Sequence, residues 1–240
     1  MTPPAIHASG VDWNQVDAVI FDVDGTLFDH LAMRPSMAAA LLRHVLTERR
    51  GWHDLFVILV FRRIRARLAI VEAADIGRQE FEVTSKSTGA SVAEVKEIVA
   101  RWVYQEPLSI IQRHAFSGTR EFLAALKQCG IRTGVFSDYP AEDKLRALGL
   151  SVDIVRDATA ADIGRLKPNP AGFLKVAELL GISPSRCLIV GDRDDRDGAA
   201  ARRGGFAFLR RASGRQGPRR YQFHCYHDLA CELQQARPAK

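Results

Sequence analysis

Long apolar runs, closely spaced cysteines and a basic leader are all missing from this chain of 240 residues. The longest uninterrupted apolar stretch, Leu55 to Phe61, is far too short to span a bilayer, which takes about 20 residues in a helix. Four cysteines, Cys129, Cys187, Cys225 and Cys231, have no framework spacing, which argues against a disulfide-stapled domain and suits a reducing compartment. Met1 to Gly10 has no basic segment leading into an apolar one, so the reading is a cytoplasmic protein without a transmembrane segment. Acid is scarce in two places: seven arginines between Arg43 and Arg67 face only Glu48 and Asp54, and seven more between Arg202 and Arg220 face none. That surplus, within a net charge of +6, favours anionic partners. Aromatics do not interleave with the basic runs as single-strand binding requires, and no nucleic-acid partner is expected.

What is present is ordinary globular material, 47% hydrophobic and 26% charged, with enough length for one domain carrying a large insert. Its most informative segment is A-V-I-F-D-V-D-G-T-L-F, Ala18 to Phe28: an apolar strand that delivers Asp22 and Asp24 into a glycine turn. Carboxylates are rarely buried unless something pairs or coordinates them. Strand alternation puts both acids on one face; Gly25 permits the turn, and Thr26 is expected to satisfy local backbone groups. A plain strand followed by an acidic turn is the alternative.

Beyond this strand the pattern is helical for some eighty residues. Ala38, Leu41, Leu42 and Val45 form an apolar stripe ended at Gly51. A second helix is predicted from Asp54 to about Ala73, and a third from Ser91, with Glu94 completing a capping box and Val92, Val95, Val99 and Trp102 buried, until Pro107 breaks it. From Phe116 onward helices and strands alternate: helices at Thr119 to Cys129, Ala141 to Leu148, Pro170 to Leu180 and His227 to Gln235, strands at Ile131 to Ser137, Val152 to Val155, Cys187 to Val190 and Gly205 to Leu209. Alternation of this kind implies a parallel sheet with helices on both faces and ligands at the carboxyl ends of the strands. The expected fold is α/β, a three-layer core of residues 1–30 and 116–240 with an all-helical insert at 31–115.

Four segments aim polar groups at one rim: Asp22 and Asp24; Ser137 at the end of T-G-V-F-S-D; Lys167 in L-K-P-N-P; and Asp192 with Asp197 in G-D-R-D-D-R-D. Carboxylates beside a lysine and a hydroxyl are what a magnesium-dependent phosphoryl site needs. An EF-hand does not fit the last run, because Arg196 and Asp197 stand where an acid and glycine, in that order, would be required. Seen alone, Ser137 is also a common strand-end residue.

This set of motifs, in order and spacing and across nearly the whole chain, resembles the haloacid dehalogenase superfamily, and the insert resembles a cap placed after the first motif. The resemblance implies a Rossmann-like core, a Mg²⁺ cofactor and an aspartyl-phosphate intermediate. It casts Asp22 as nucleophile, Asp24 as general acid and base, Ser137 and Lys167 as phosphate ligands, and Asp22, Asp24 (through its carbonyl) and Asp192 as metal ligands with Asp197 behind them. Asp138 follows Ser137 where relatives often carry asparagine, adding negative charge near the phosphate. Asp194 and Asp195 are further acids beside Asp192.

Asp24 argues against dehalogenation, which needs no acid two residues after the nucleophile. Hydrolysis of a phosphate monoester on a small molecule is the reading; a phosphomutase, a phosphonate hydrolase using Lys86 or Lys96 for a Schiff base, and a non-catalytic basic-surface binder are the alternatives. The stretch Trp52 to Arg67, with its apolar stripe and Arg62, Arg63, Arg65 and Arg67, reads first as a cap core helix with solvated arginines; reception of a large anionic or partly apolar phosphate and contact with acidic lipid as a surface helix are the alternatives. His224, Cys225, His227 and Cys231 have the residue types of a zinc site but not the spacing. Oligomeric state is not encoded legibly.

Overall fold

The computed structural model describes residues 9–212 and 221–238. Arg215, Arg219 and Arg220 of the second basic run lie outside them. Ala18–Phe21 forms β1, buried on both faces as a strand covered on both sides must be, which is why its apolar run is continuous. It lies in the middle of a six-stranded sheet of order β3-β2-β1-β4-β5-β6, every pair parallel. The other strands are β2 (Arg132–Ser137), β3 (Ile154–Asp157), β4 (Cys187–Gly191), β5 (Ala207–Arg211) and β6 (Gln222–Phe223). The last is a two-residue strand with no alternation long enough to read. From β1 the chain first builds outward through β2 and β3 and then crosses to β4 on the other side. The carboxyl ends of β1, β2 and β4 therefore meet where the winding reverses, the place such sheets leave a crevice.

Alternation along β1 sends Val19 and Phe21 into a core with Trp13, Phe122 and Tyr226, and Ala18 and Ile20 into a second core with Phe136, Phe173 and Val176. Between β1 and β2 lie α1 (Arg34–Thr47), α2 (Gly51–Ile70), α3 (Ile76–Thr88), α4 (Val92–Val99) and α5 (Leu108–Ile111), with a core of their own around Val57, Phe61, Phe81, Val95 and Trp102. The remaining helices are α6 (Thr119–Gln128), α7 (Glu142–Leu148), α8 (Ala171–Leu180), α9 (Ala199–Gly204) and α10 (Tyr226–Ala236). The architecture is the Rossmann-like α/β core with a helical insert that the sequence predicts. No helix among the described residues is long and apolar enough to cross a membrane.

Several boundaries differ from the sequence reading. Gly51 does not stop α1, which ends at Thr47; it begins α2, and a Cβ there would lie 2.5 Å from Val45 Cα, so glycine lets the two helices turn tightly against each other. α3 is an additional helix. Its core face is partly polar, with Glu80 and Thr84 buried beside Ile76 and Phe81, which erases the apolar stripe that would announce it. Half of the capping box is present, Ser91 Oγ accepting from Glu94 N–H at 3.2 Å while the Glu94 carboxylate meets Arg50 at 2.9 Å, and Val92 is 37% exposed because it starts α4 on the outer side. After Val99 the helix widens into a π turn over Ala100–Gln105 before Pro107.

Candidate active site

The strand ends hold a buried charge network. Asp22 follows β1 directly, and its carboxylate accepts from Thr26 Oγ1 at 2.9 Å and from Lys167 Nζ. Thr26 thus serves the Asp22 side chain rather than only the backbone, since a four-residue loop closed by positive-φ Gly25 returns it over the acid. Lys167, which precedes α8, also donates to Asp197 Oδ1 at 2.7 Å. All three side chains are buried. Gly25 is required twice over: its φ is +94°, and a Cβ would lie 2.3 Å from Asp192 Oδ2 and 2.8 Å from His30 Nδ1.

Ligand oxygens of Asp22, Asp192 and Asp197 lie within 4.8 Å of one another, the only such group among the described residues. The run after β4 explains how. Asp194–Gly198 turns as a π helix, and this brings Asp197 inward, where it also accepts from Arg193 N–H at 3.1 Å. Asp194 and Asp195 point away and pair with Arg202 at 2.8 Å and Arg193 at 2.5 Å, so of the three candidates Asp197 is the one in the cluster. His224, Cys225, His227 and Cys231 form no such cluster; His227 meets Ser117 Oγ at 3.0 Å.

Burial raises the carboxyl of Asp22 to about 7, with Lys167 pulling down and the Asp197 and Asp24 charges pushing up. Burial, and then the Asp22 charge, raise Asp192 to about 6, and burial raises Asp197. Burial also works against the Lys167 ammonium, but Asp197 and Asp22 outweigh it and hold that group well above its usual range. One lysine among three crowded carboxylates leaves negative charge uncompensated. A hard divalent cation with oxygen ligands, of which Mg²⁺ is the small octahedral case, fits that donor set.

Asp24 is held differently. Lys144 Nζ donates to both its oxygens, at 2.7 and 2.6 Å. Lys144 is not among the sequence candidates, yet a signal exists: it lies at the buried positions of α7, between Ala141, Leu145 and Leu148, where an unpaired lysine would be costly. Asp138 does not add free negative charge; its carboxylate accepts from Lys167 N–H at 3.0 Å and meets Arg196 at 3.2 Å. Ser137 is fully buried at the end of β2, its Oγ accepting from Tyr139 N–H at 3.2 Å, and it stands behind the cavity wall rather than on it.

Above these residues is a cavity of about 660 Å³ between the sheet and the insert. Asp22, Asp24, Lys144, Lys167, Asp192 and Asp197 form one wall; the other comes from α1, α2 and the π turn after α4, including Met37, Ile58, Arg62, Arg65 and Trp102. The arginines of α2 divide. Arg65 is buried in an ion pair with Glu80, also bonds the Asp138 carbonyl and stacks 4.2 Å over Tyr139; Arg62 lines the cavity; Arg63 and Arg67 are on the outer surface. Lys86 and Lys96 are exposed and do not line it, so neither offers an amine to this site.

A family model described as haloacid dehalogenase-like hydrolase matches residues 16–205. The N-acetylmuramic acid 6-phosphate phosphatase of Pseudomonas aeruginosa is 31% identical over 191 residues, 76% of each chain. The glyceraldehyde 3-phosphate phosphatase of Methanopyrus kandleri is 26% identical over 203 residues, 83% of this chain and 85% of its own. Among solved structures, a 2-haloacid dehalogenase from Pseudomonas syringae pv. Tomato DC3000 superposes with a TM-score of 0.62 at 21% identity, covering 92% of this chain and 99% of its own, a likeness of fold.

Proposed function

We propose that this chain, which belongs to the haloacid dehalogenase-like hydrolase family and is a hydrolase acting on phosphate monoesters, works through a phosphorylated Asp22 with Mg²⁺ as its metal, on a small phosphorylated molecule in the cytoplasm. One observation carries the reading: a single buried ammonium, Lys167 Nζ, bridges Asp22 and Asp197 on the wall of the cavity that also holds Asp24.

In this scheme an Asp22 oxygen attacks phosphorus in line with the ester bond, which breaks as the P–O bond to Asp22 forms. Lys167 keeps Asp22 aimed and ionised and offsets phosphoryl charge. Asp24 gives its proton to the leaving oxygen and then takes one from the water that cleaves the aspartyl phosphate. Lys144 fixes where the Asp24 carboxyl stands. Ser137 is assigned to the phosphoryl oxygens, a role that requires the phosphoryl group to reach the buried hydroxyl behind the present cavity wall. Asp22, the Asp24 carbonyl and Asp192 would hold the metal with Asp197 behind, and the metal when bound supplies charge stabilisation to the transferring group. Residues 31–115 act as the cap over a core of 1–30 and 116–240.

The test is phosphate release from a panel of monoesters, with magnesium and with EDTA, on wild type and Asp22→Asn. Magnesium-dependent turnover lost by at least about 10³-fold in the variant supports the scheme. Folded, metal-loaded protein that turns over no ester refutes it.

A further inference from the structure

α2 is apolar on two sides, and one of them has no partner among the described residues. Val57, Ile58 and Phe61 pack into the core of the insert. On the other side Trp52 and Ile70 are 71% and 79% exposed, and Phe56 and Leu59 are 50% and 48% exposed. Arg63 and Arg67 are exposed with them, and among the described residues neither makes an ion pair. At about 100° per residue these six positions fall within about 80° of arc, so they form one stripe along a helix about 30 Å long. Single exposed apolar side chains are ordinary; four large ones on one stripe mark a contact surface. The one acid of α2, Asp54, is turned inward, where it pairs with His44 at 2.8 Å. The stripe is therefore apolar and cationic, with no negative charge of its own.

We infer that this stripe is a docking surface for an anionic lipid bilayer, on which α2 lies flat, its aromatic and aliphatic side chains at the boundary of headgroups and acyl chains and its two guanidiniums on lipid phosphates. Aromatic rings and arginines on one exposed helix face are what such a boundary accepts. A guanidinium matches a phosphate by paired donors. Since α2 keeps its inner face packed on the insert and is not apolar enough to cross a membrane, it lies on the bilayer and does not span it. A second copy of this chain suits the stripe less well: two stripes laid together would bury four guanidiniums with no acid on either to meet them. Arg62, one residue before Arg63, is exposed and lines the cavity, so docking sets the cavity beside the lipid surface.

The full chain is sedimented with vesicles of phosphatidylcholine alone and of phosphatidylcholine with about one-third phosphatidylserine. Tryptophan emission gives a second readout that reports on Trp52, because Trp13 and Trp102 are already buried. The expected result is pelleting and a blue shift with the anionic vesicles, both much weaker with phosphatidylcholine alone. At about fivefold per arginine, Arg63→Gln/Arg67→Gln should bind the anionic vesicles about 20- to 30-fold more weakly. Phe56→Gln/Leu59→Gln should lose both the pelleting and the shift. All four side chains are exposed, so an unchanged Tm checks that both variants are folded. No pelleting, or pelleting indifferent to lipid charge or to the arginine substitutions, overturns the inference. A concentration-dependent dimer lost in Phe56→Gln/Leu59→Gln, without pelleting, also overturns it and gives the stripe to a second copy. Ester hydrolysis is measured without vesicles, so the phosphatase reading and the lipid contact can each fail alone.

Discussion

Two charged walls face each other across the cavity, and they are built on opposite principles. On the sheet side most charges are tied to one another: Lys167 to Asp22 and Asp197, Lys144 to Asp24, Asp138 to Arg196. On the helical side some charges are locked, as Arg65 is with Glu80, while Arg34 and Arg62 are left open. A wall whose charges are mutually fixed specifies a reaction, since its geometry is set before any ligand arrives. A wall with unspent charge specifies a ligand, since its partner has yet to come. The sheet side is where the chemistry should be invariant to substitution of the leaving group, and the helical side is where it should not.

The largest effects that sharpen this contrast come from two of the buried cations, one on each wall. Lys167→Met leaves Asp22 and Asp197 buried without their partner, and stability should fall by about 3–5 kcal/mol in urea unfolding, together with nearly all activity. Arg65→Met leaves Glu80, which is fully buried, in the same condition. Its stability loss should be of similar size, but its activity loss should be much smaller, because Arg65 lines the helical side of the cavity and reaches the sheet side only through the Asp138 carbonyl and the Tyr139 ring. Equal activity losses in both variants would erase the distinction between the two walls.

How much of this can be read from the chain follows the same division. β1, β2, β4 and their acids are legible because buried parallel strands are uniformly apolar, and a carboxylate at the end of one needs a cation or a metal beside it. The pairing of Lys167 with Asp22 is implied by a family resemblance, not by spacing, since 145 residues separate them. α3 escapes a periodicity reading because Glu80 and Thr84 occupy its core face, Glu80 being there only to meet Arg65. Lys144 escapes it because one lysine in an apolar helix stripe reads as a solvated interruption until Asp24 is seen beside it. β3 begins two residues later than its apolar pattern predicts, its half-buried edge carrying Arg156 and Asp157 where a central strand would be apolar. In the arginine-rich stretch of α2, sequence does not separate the buried Arg65 and the exposed but cavity-lining Arg62 from Arg63 and Arg67, which are exposed away from the cavity, because the helix is apolar on more than one side.

Next in size is Lys144. Lys144→Met should lower kcat by about 10²-fold with KM nearly unchanged, because the lysine positions the acid and base and does not meet the leaving group. Lys144→Arg should recover part of that loss. A variant that instead raises KM with kcat intact would move Lys144 to the ligand-reading wall.

The metal-free protein should also respond to pH in a defined direction. Burial raises Asp22 to about 7 and Asp192 to about 6 from the ordinary 3.8, so between these limits the native state binds more protons than the unfolded chain. Their contribution to stability is complete below about pH 4, declines as pH rises through the folded values, and levels off above about 7. Relative to Asp192→Asn, the wild type should therefore lose Tm between pH 4 and 6 without metal. Added Mg²⁺ should stabilise the wild type more at pH 7 than at pH 5, because its ligands must be ionised. A Tm difference that is flat with pH would mean that Asp192 is not desolvated.

The smallest expected effect is the most selective check on the helical wall. Arg63 and Arg67 belong to the same basic run as Arg62 and Arg65, but a step of about 100° per residue around the helix turns them to solvent. Arg63→Gln and Arg67→Gln should each change stability by no more than about 0.5 kcal/mol and leave KM for the hydrolysed ester where it was. If the basic run acted through its summed field instead, all the exposed arginines would contribute comparably, KM would rise in each variant, and the rise would fade as salt screens the charges over about 8–10 Å. Arg62 sensitive and Arg63 silent, at the same ionic strength, is the pattern that a geometric reading of α2 requires and that net charge cannot produce.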